Sequence, residues 1–344
     1  MELAIITRMG DGSLVALTRS QMRAEIEDGT AQGAKRSKAP LLEEAEIEHL
    51  VDLFASDARV IGVPIGDEVV LTYDGTGDPQ IGSRIEGLEI YQQYLSADSC
   101  ELYHVDYSYP AVKTIVPAEQ QAMKVAQERL VIPVHYGAQP DLGRYSHPDG
   151  PCPNWSELLP QMRIDEARTS QEQALEMAID DIVHVAEAMW EAGADGINID
   201  TAGAAGDAGL LATLRAVEKL RARYPDMGIM VGMANEIVLG LHGRLEYKGT
   251  RLAGLKPDGQ RKVVEQAGAT IFGPAVNVNT SKTVAWNTAR ALTFMKPCMA
   301  EAKIPVHPNV GMGVGGVPMS GFPPIDAVSR CSRAMVDILK CDGL

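Results

Sequence analysis

One stretch near the middle of the chain, GADGINIDTAGAAGD at residues 193–207, constrains the fold most. Its short apolar run, Ile197 and Ile199, ends in Asp200 and Thr201 and then opens into glycines, as a buried strand does where it meets a loop. Apolar residues recur at helical spacing both before and after it. Helix, strand, polar strand end and helix make one βα unit, and parallel strands covered on both faces read as short apolar runs. The stretch therefore predicts an α/β fold with a parallel sheet.

The same pattern recurs and predicts six parallel strands, each followed by a helical pattern. These strands are 102–107, 131–136, 196–200, 228–233, 270–276 and 305–310. This order is that of a (β/α)8 TIM-type barrel, which closes with eight strands. Residues 342–344 repeat the opening of the strand entry at 194–197. We therefore expect about six complete βα units in a barrel that is truncated at its C-terminal end.

Two segments stand outside the predicted repeat. Residues 1–98 contain a hairpin pattern around Gly10-Asp11-Gly12 and two short helical patterns, and they predict an N-terminal addition packed on the barrel. Within that addition, residues 67–83 read as hairpin and loop. Residues 99–344 are predicted as the partial barrel. Its segment 140–169 is rich in Pro, Gly and Asp and predicts a lid-like insertion.

Composition argues against several classes of function. A formal net charge of −15 repels phosphate backbones and an aromatic content of 5% leaves few stacking platforms, so nucleic acid is not an expected partner. The chain has neither an apolar run of about 18 residues nor a basic and then apolar amino terminus, so we expect a cytoplasmic protein without a membrane partner. Five scattered cysteines without CxxC suggest neither a disulfide framework nor a thiolate zinc site. A neutral or cationic small molecule suits this charge.

Polar side chains gather at the ends of the predicted strands. In a barrel such side chains converge on one mouth, where carboxylates hold an ammonium group or move protons and amides and phenols orient a ligand. We assign Glu236 and Asp200 as the catalytic carboxylates. The predicted substrate-binding residues are His104, Asp106, Tyr136, Asn277 and Asn279. Taken singly, residues of these types are also common as caps and in loop hydrogen bonds.

Three further features of the sequence each allow more than one interpretation. His104, His135 and His307 with a carboxylate would suit a metal, but no local motif such as HExxH supports one, so no metal site is expected. Lys282 follows a helix-start signal, where it either forms a Schiff base or lies exposed in the first turn. A glycine run permits close approach of a phosphate, a large planar cofactor or a partner. Its members are Gly311, Gly313, Gly315 and Gly316.

Five strings lie in order along nearly the whole chain. They are RMGDG at 8–12, HVDYSYPAVK at 104–113, GADGINIDTAGAAGD at 193–207, FGPAVNVNTSKTVAWNTARALTFMK at 272–296 and GMGVGGVPM at 311–319. Together they resemble the dimethylamine:corrinoid methyltransferases of methylotrophic methanogens and some anaerobic bacteria. The resemblance implies a (β/α)8 barrel whose mouth holds pyrrolysine, which an in-frame amber codon encodes. Its imine ring adds the amine and presents it to the Co(I) corrinoid of a separate carrier protein.

The resemblance also bears on the end of the chain. In that family pyrrolysine follows a stretch similar to residues 336–344, directly after a dipeptide like Gly343-Leu344. It thus implies that this chain ends at the amber position and that the complete form continues. The expected activity is methyl transfer from dimethylamine to a cognate corrinoid protein. The glycine run is predicted to face this partner and its corrinoid. The corrinoid belongs to the partner, no cofactor is expected to bind directly, and a homo-oligomer is expected.

Two alternatives stay open at this point. The chain as given is either active or a truncated, catalytically inactive barrel that docks the corrinoid protein. A different barrel enzyme would instead form a Schiff base on Lys282. Borohydride trapping with a carbonyl substrate distinguishes the last reading from the others.

Overall fold

A computed structural model of the chain describes residues 4–64, 69–74, 81–94, 96–106 and 112–344. Its strands are β1 (Ile5–Arg8), β2 (Leu14–Leu17), β3 (Thr72–Asp74), β4 (Ser99–Asp106), β5 (Val134–Gln139), β6 (Gly196–Ala202), β7 (Gly228–Met233), β8 (Glu246–Tyr247), β9 (Thr250–Arg251) and β10 (Ile271–Gly273). Its α-helices are α1 (Arg19–Ser37), α2 (Glu44–Ala55), α3 (Ile81–Tyr94), α4 (Val112–Arg129), α5 (Trp155–Leu158), α6 (Ile164–Glu191), α7 (Gly206–Arg223), α8 (Pro257–Ala267), α9 (Val284–Ala300) and α10 (Ile325–Ala334). A 3₁₀ turn at Leu142–Tyr145 and a π-helical turn at Met335–Leu339 complete the elements.

Six strands form one sheet in the order β10-β7-β6-β5-β4-β3. The four pairings from β3 to β7 are parallel, and helices separate these strands along the chain. Strands that follow one another in sequence are therefore neighbours in space, as in a (β/α) barrel, whereas a doubly wound sheet reverses its order at a switch point. The predicted α/β class with a barrel-type parallel sheet is confirmed.

The strands predicted in the middle of the chain are present with shifted ends. β7 coincides with the predicted 228–233, and β6 extends the predicted 196–200 by two residues. β5 begins three residues later than predicted and β10 is shorter than the predicted 270–276. Apolar runs thus located the strands, whereas their ends depend on pairing with neighbours that the local sequence does not specify.

The repeat begins earlier than the sequence pattern predicts. β3 pairs in parallel with β4, with Thr72 opposite Ser99 and Tyr73 opposite Cys100, and α3 lies between the two strands in sequence. The hairpin and loop predicted for residues 67–83 is therefore wrong where the structure describes it. A strand of three residues gives too short a pattern to detect, and stacking of the Tyr73 and Tyr91 rings, with centroids 3.7 Å apart, joins it to α3.

The residue before several strands is joined to the neighbouring chain segment by two hydrogen bonds, which together we call a clamp. An aspartate carboxylate accepts the backbone N–H of the neighbouring chain segment at 2.9 Å, and the aspartate N–H donates to the C=O of that same residue at 2.9–3.2 Å. Three pairs share this strand-entry clamp: Asp98 with Leu71, Asp195 with Val134, and Asp342 with Val306. Thr270 makes an equivalent pair of bonds to Ile229: its hydroxyl accepts the Ile229 N–H and its own N–H donates to the Ile229 carbonyl, both at 2.8 Å.

The strand predicted for residues 305–310 is not present as a strand. Only Val306 occupies a bridge position, although its clamp to Asp342 is the one that other strand entries use. The sequence has prolines at 305 and 308, which have no N–H to donate to a ladder. The apolar run therefore identified a segment with the bonding of a strand start but without a continuous ladder.

Contacts within the chain divide it into two compact units. One comprises Met1–Val69, Lys256–Asp258 and Gly273–Leu344, and the other comprises Val70–Leu255 and Gly259–Phe272. All of the parallel sheet except Gly273 belongs to the second unit. Each unit is a group of residues that mainly contact one another. The division into domains at residue 98 stays a prediction.

The first unit contains the predicted N-terminal hairpin, which is confirmed. β1 and β2 pair antiparallel, with Arg8 opposite Leu14. Arg8 forms an ion pair with Asp326 at 2.8 Å and donates to the carbonyl of Gly12 at 2.9 Å. The hairpin is thereby joined to α10 of the same unit.

Helix α1 is longer than its sequence predicts, because Gly29 is not a helix end. The pattern favours a helix that stops at Gly29, but α1 continues to Ser37. A Cβ at Gly29 would collide with the carbonyl of Trp286 in α9, and one at Gly33 would stand 2.9 Å from Thr293 Cβ. The glycines therefore let two helices approach closely, a tertiary requirement that looks like a helix stop in sequence.

The predicted lid-like insertion at 140–169 is built of short elements that precede and begin α6. Tyr145 donates its hydroxyl to Asp181 at 2.7 Å, and Ser170 donates to the carbonyl of Pro153 at 2.5 Å. These bonds attach the insertion to α6, and its role as a lid stays a prediction. Across the described ranges, no helix is both long and apolar enough to span a membrane.

Candidate functional site

One face of the parallel sheet carries closely spaced polar side chains. Alternate residues of a strand face opposite sides, so Asn198 and Asp200 share the face of β6 that Ile197 and Ile199 do not occupy. In β5, Gly137 lies opposite Asn198, and His135 is two residues earlier on the same face. The apolar residues bury one side of each strand, and polar groups and glycines occupy the other.

Glu101 of β4 joins Asn198 and His135 on this face. The Asn198 side-chain nitrogen lies 3.2 Å from both carboxylate oxygens of Glu101, and His135 Nε2 lies 3.7 Å from Glu101 Oε2. Glu101 and Asn198 are each only 5% exposed. An ionised carboxylate only accepts hydrogen bonds, so the NH₂ of the Asn198 amide must face Glu101 and its Oδ1 must face away.

Gly232 of β7 provides the space in front of Asn198 and Asp200. A Cβ at Gly232 would stand 2.6 Å from Asp200 Oδ1 and 3.5 Å from Asn198 Oδ1. The Asp200 carboxylate also accepts the N–H of Thr201 at 2.7 Å. Thr201 has φ of 53°, a left-handed conformation that is strained for a β-branched residue and is found at functional sites. The strained turn thus holds the Asp200 carboxylate over the glycine.

The Asn198 Oδ1 atom makes no hydrogen bond among the described residues although it is buried. Leaving a buried acceptor unpaired costs about 1–3 kcal/mol, so such an atom calls for an explanation. Asn198 Oδ1 and Asp200 Oδ1 both lie within 3.5 Å of one point beside Gly232. We call Glu101, His135, Asn198 and Asp200 the acceptor cluster. Its open acceptor and its carboxylates suit a cationic N–H donor of small size.

Glu236 lies beyond the end of β7, in the loop that leads to α8. Gln260 is fully buried, and its amide donates to the carbonyl of Asn235 at 3.0 Å and to that of Leu255 at 3.2 Å. The N–H of Ala234 donates to the carbonyl of residue 202 at 3.1 Å. After Glu236, the N–H of Val238 donates to the carbonyl of Leu255 at 2.9 Å. The backbone on both sides of the half-buried Glu236 is therefore fixed.

A buried carboxylate holds the far part of the same loop. Asp207 at the start of α7 has no exposed surface, and it accepts the backbone N–H groups of His242 at 3.0 Å and Gly243 at 2.7 Å. His242 is also buried, and its Nε2 lies 2.7 Å from Glu172 Oε1. The loop that carries Glu236 is thus attached to α7 and α6 by charged groups.

The other site residues predicted in the second unit are placed differently. Tyr136 is fully buried and lies opposite Ile197 in the register, on the face away from Asn198. The backbone of His104 lies opposite Gly137 and that of Asp106 opposite Gln139. The side chains of His104 and Asp106 lie outside the described residues.

Asn277 and Asn279 belong to the first unit, where both shape the loop before α9. The carbonyl of Asn277 accepts from Arg290 at 2.9 Å. The Asn279 side-chain oxygen accepts from the backbone and hydroxyl of Ser281, at 3.0 and 2.7 Å, and its N–H donates to Asn287 at 2.7 Å. Such bonds are typical of a capping asparagine, and a role of either residue toward a ligand stays a prediction.

Lys282 in the first turn before α9 is held by an acidic partner. Its ammonium lies 3.2 Å from Asp28 Oδ2 and 5.3 Å from the centre of the Trp286 ring. Trp286 also donates to Asp28 at 2.7 Å, and this hydrogen bond is the main cause that lowers the pKa of Asp28. The Lys282 ammonium, the Asp28 carboxylate and the Trp286 ring therefore contact one another.

Most of the glycine run is explained by packing. A Cβ at Gly316 would collide with Thr288 Oγ1 in α9, and one at Gly315 would stand 2.6 Å from the carbonyl of Asn309. Gly313 has φ of 86° and lies against Met319. Only Gly311 of this run faces open space. The run thus forms a tight turn, and access of a partner at Gly311 stays a prediction.

The cysteines are unsuited to nucleophilic chemistry. All five are buried free thiols. Burial raises the pKa of Cys100 to about 12, with the nearby charges of Asp195 and Glu101 acting in the same direction. Burial also raises the pKa of Cys331 and of Cys341 to about 12. Within the described parts of the chain, no group of three or more His, Cys, Asp or Glu side chains is arranged to hold a metal ion.

Sequence reasoning selected Asp200 but did not select Glu101 and Asn198, which lie with it in the acceptor cluster. The available signal was the spacing of Asn198 and Asp200 by two residues within an otherwise apolar strand, which places both on one face. Glu101 lies near the start of β4, and barrel reasoning directs attention to strand ends. The acceptor cluster therefore extends deeper along the sheet than the predicted site.

One family model matches almost the full length of the chain. The family model described as dimethylamine methyltransferase matches residues 4–344. Among solved structures, the chain is similar to a methyltransferase from Methanosarcina mazei, with 15% identity, a TM-score of 0.44, and 85% of this chain and 98% of that chain covered. It is also similar to dihydropteroate synthase from Xanthomonas albilineans, with 14% identity, a TM-score of 0.39 and coverage of 80% and 91%. These structural similarities are weak, whereas the family match is extensive.

Proposed function

The chain belongs to the dimethylamine methyltransferase family, and we propose that it transfers a methyl group from dimethylamine to the Co(I) corrinoid of a cognate carrier protein. The family match over residues 4–344 is the observation that carries the proposal. In the reaction one C–N bond of dimethylammonium breaks, a Co–C bond forms, and methylamine leaves with the electron pair of the broken bond. The corrinoid is the methyl acceptor and belongs to the partner.

The acceptor cluster supports a cationic amine substrate. Nitrogen leaves carbon readily only as a neutral amine, so it must be cationic before the transfer. The Asp200 carboxylate, which the Thr201 turn holds over Gly232, stabilises such a cation, and Glu236 does so from its fixed loop. The residues proposed to orient the substrate remain His104, Asp106, Asn277 and Asn279. Tyr136 faces the other side of β5 and would act only by packing behind the strand.

The electrophile that activates the amine is proposed to be pyrrolysine, which the resemblance to the family implies. Its imine would supply the carbon to which the amine adds. The proposal also keeps the glycine run as the corrinoid-facing segment, with Gly311 as its open member.

Reconstitution with the carrier protein tests this function. The protein, reduced corrinoid protein and dimethylamine should give methyl-Co(III), detected by its absorbance. Asp200→Asn should lower the transfer rate about tenfold or more, because a charge-assisted contact to the cation is lost. Asp180→Asn is the matched control, since Asp180 is 78% exposed and, among the residues that the structure describes, forms an ion pair with Lys219 at 3.2 Å. No methyl-Co(III) from the wild-type protein would refute the proposal.

The two alternatives make different predictions in the same preparation. A docking barrel without activity binds the carrier protein in a pull-down but forms no methyl-Co(III). A Schiff-base enzyme is trapped by borohydride at Lys282, whose side-chain nitrogen is engaged with Asp28 at 3.2 Å. The protein is proposed to be cytoplasmic and a homo-oligomer, which fractionation and light scattering test.

A further inference from the structure

We propose that Asn198 determines which methylamine the site accepts and that Glu101 is the positioning residue that fixes its amide. This inference rests on the proposed amine substrate. Asn198 Oδ1 is the second acceptor for N–H groups, beside the carboxylate of Asp200. The site therefore selects among methylammonium ions by the number of N–H bonds that each can donate.

The orientation of the Asn198 amide follows from Glu101. Both contacts from the Asn198 nitrogen to the Glu101 carboxylate measure 3.2 Å, in a place where each residue is 5% exposed. Turning the amide around would set its oxygen against the carboxylate at that distance, in a region of low dielectric. Glu101 thus makes Asn198 an acceptor toward Gly232.

The position of that acceptor fits a small ion. Asn198 Oδ1 and Asp200 Oδ1 lie 3.5 and 2.6 Å from the Cβ position that Gly232 leaves empty. The two oxygens are therefore no farther apart than these two distances added together, so one nitrogen between them can donate to both at ordinary hydrogen-bond lengths. A larger side chain at 232 would crowd both oxygens. The carboxylate and the amide therefore offer two acceptors to one nitrogen, at a place where residue 232 has no side chain.

Two acceptors distinguish the methylammonium ions by the number of N–H groups that each ion carries. Dimethylammonium can donate one N–H to each oxygen. Trimethylammonium has one N–H, so when it donates to the Asp200 carboxylate the buried Asn198 Oδ1 stays unpaired, and tetramethylammonium has none. Sites that hydrogen-bond a substrate discriminate strongly against analogues that lack the donor, because the buried partner stays unpaired. A secondary ammonium is thus the most highly methylated ion that satisfies the pair.

A purely structural Asn198 would satisfy Glu101 and do nothing more. Such a role leaves no reason for the buried Oδ1 to lack a partner among the described residues. It also predicts that substitutions alter stability and affect all amines alike. The ratio of affinities for two amines separates the two roles, because a change in stability or in total charge cancels in the ratio.

The test measures amine binding directly by calorimetry, without corrinoid or methyl transfer. Wild-type protein should bind dimethylammonium about tenfold more tightly than trimethylammonium, as expected for one hydrogen bond to a cationic donor. Asn198→Ala should bring this ratio close to one. Glu101→Gln should lower the ratio severalfold, since a glutamine both donates and accepts and no longer fixes the amide. Glu176→Gln, at a surface carboxylate that is 64% exposed, is the matched control and should keep the wild-type ratio.

Each outcome decides the inference. A ratio unchanged in Glu101→Gln and Asn198→Ala, both folded by circular dichroism, overturns it while leaving the proposed function intact. Equal affinity of the wild type for the two ions overturns it in the same way. Wild-type protein that binds no methylammonium ion overturns it together with the proposed substrate. If Asn198→Ala does not fold, the isosteric Glu101→Gln decides alone.

Discussion

Asp207→Asn should destabilise the protein far more than its conservative chemistry suggests. The Asp207 carboxylate is fully buried and accepts two backbone N–H groups, from His242 at 3.0 Å and Gly243 at 2.7 Å. Asparagine keeps one acceptor oxygen and places an NH₂ group against the other N–H. One hydrogen bond to a charged acceptor is lost and one N–H loses its partner. These losses amount to about 2–4 kcal/mol.

That magnitude is a large share of the net stability of a typical protein, about 5–15 kcal/mol. Urea unfolding followed by circular dichroism measures it as a lower midpoint. Asp180→Asn is the matched control, because its carboxylate is 78% exposed and its only described ion pair is with Lys219. A surface pair of this kind contributes about 0–1 kcal/mol, so the control should stay near the wild-type midpoint.

The same substitution has a local signature. The loop that carries Glu236 loses its attachment to α7, so amide hydrogen exchange of residues 239–243 should accelerate more than exchange in β6. Asp207→Asn with a midpoint equal to that of Asp180→Asn, or with unchanged exchange in this loop, would refute the claim that a buried carboxylate holds it.

Three other outcomes are expected. Gly232→Ala should displace the Asp200 carboxylate, because the new Cβ would stand 2.6 Å from Oδ1, and calorimetry should show amine affinity falling more than the unfolding midpoint. The Trp286 hydrogen bond lowers the Asp28 pKa below 3.8, so its stabilisation is complete above the unfolded-state pKa and is lost as pH falls through the folded value. Asp28→Asn should flatten the loss of stability below about pH 4 in acid titrations. Iodoacetamide at pH 8 should modify none of the five buried thiols until urea unfolds the protein, as mass spectrometry would show.

The sequence predicted the fold class because βα units carry repeated local signals. Apolar runs such as that of β7 have the length of a strand, and the helices after them keep one apolar face. It failed at β3, where three residues make no periodic pattern, and at Gly29, where a close contact between helices resembles a stop signal. Both failures concern tertiary contacts, which a window of local sequence does not contain.

The candidate site was predicted in part for a related reason. Barrel reasoning directs attention to strand ends and so selected Asp200 and Glu236, whose roles toward a substrate stay predictions. It did not predict that Tyr136 and His135 face opposite sides of β5, because the role of each face depends on which one the helices cover. Glu101 was missed because its partner Asn198 is 97 positions away in sequence and meets it only through the register of three strands.

The strand-entry clamps show what fixes that register. Asp98, Asp195 and Asp342 each stand one position before a strand or a bridge residue, and each both accepts from and donates to a single residue of the neighbouring segment. Two bonds to one residue define the alignment of two segments at the start of the ladder, and a slip by one residue would exchange the faces of every side chain that follows. The alignment of Val134 with Asp195 in this way places Gly137 opposite Asn198, and hence sets the acceptor cluster against the glycines that give it space. The aspartate at the strand entry and the acceptor cluster are therefore linked, because the aspartate fixes the register and the register determines which polar side chains lie together.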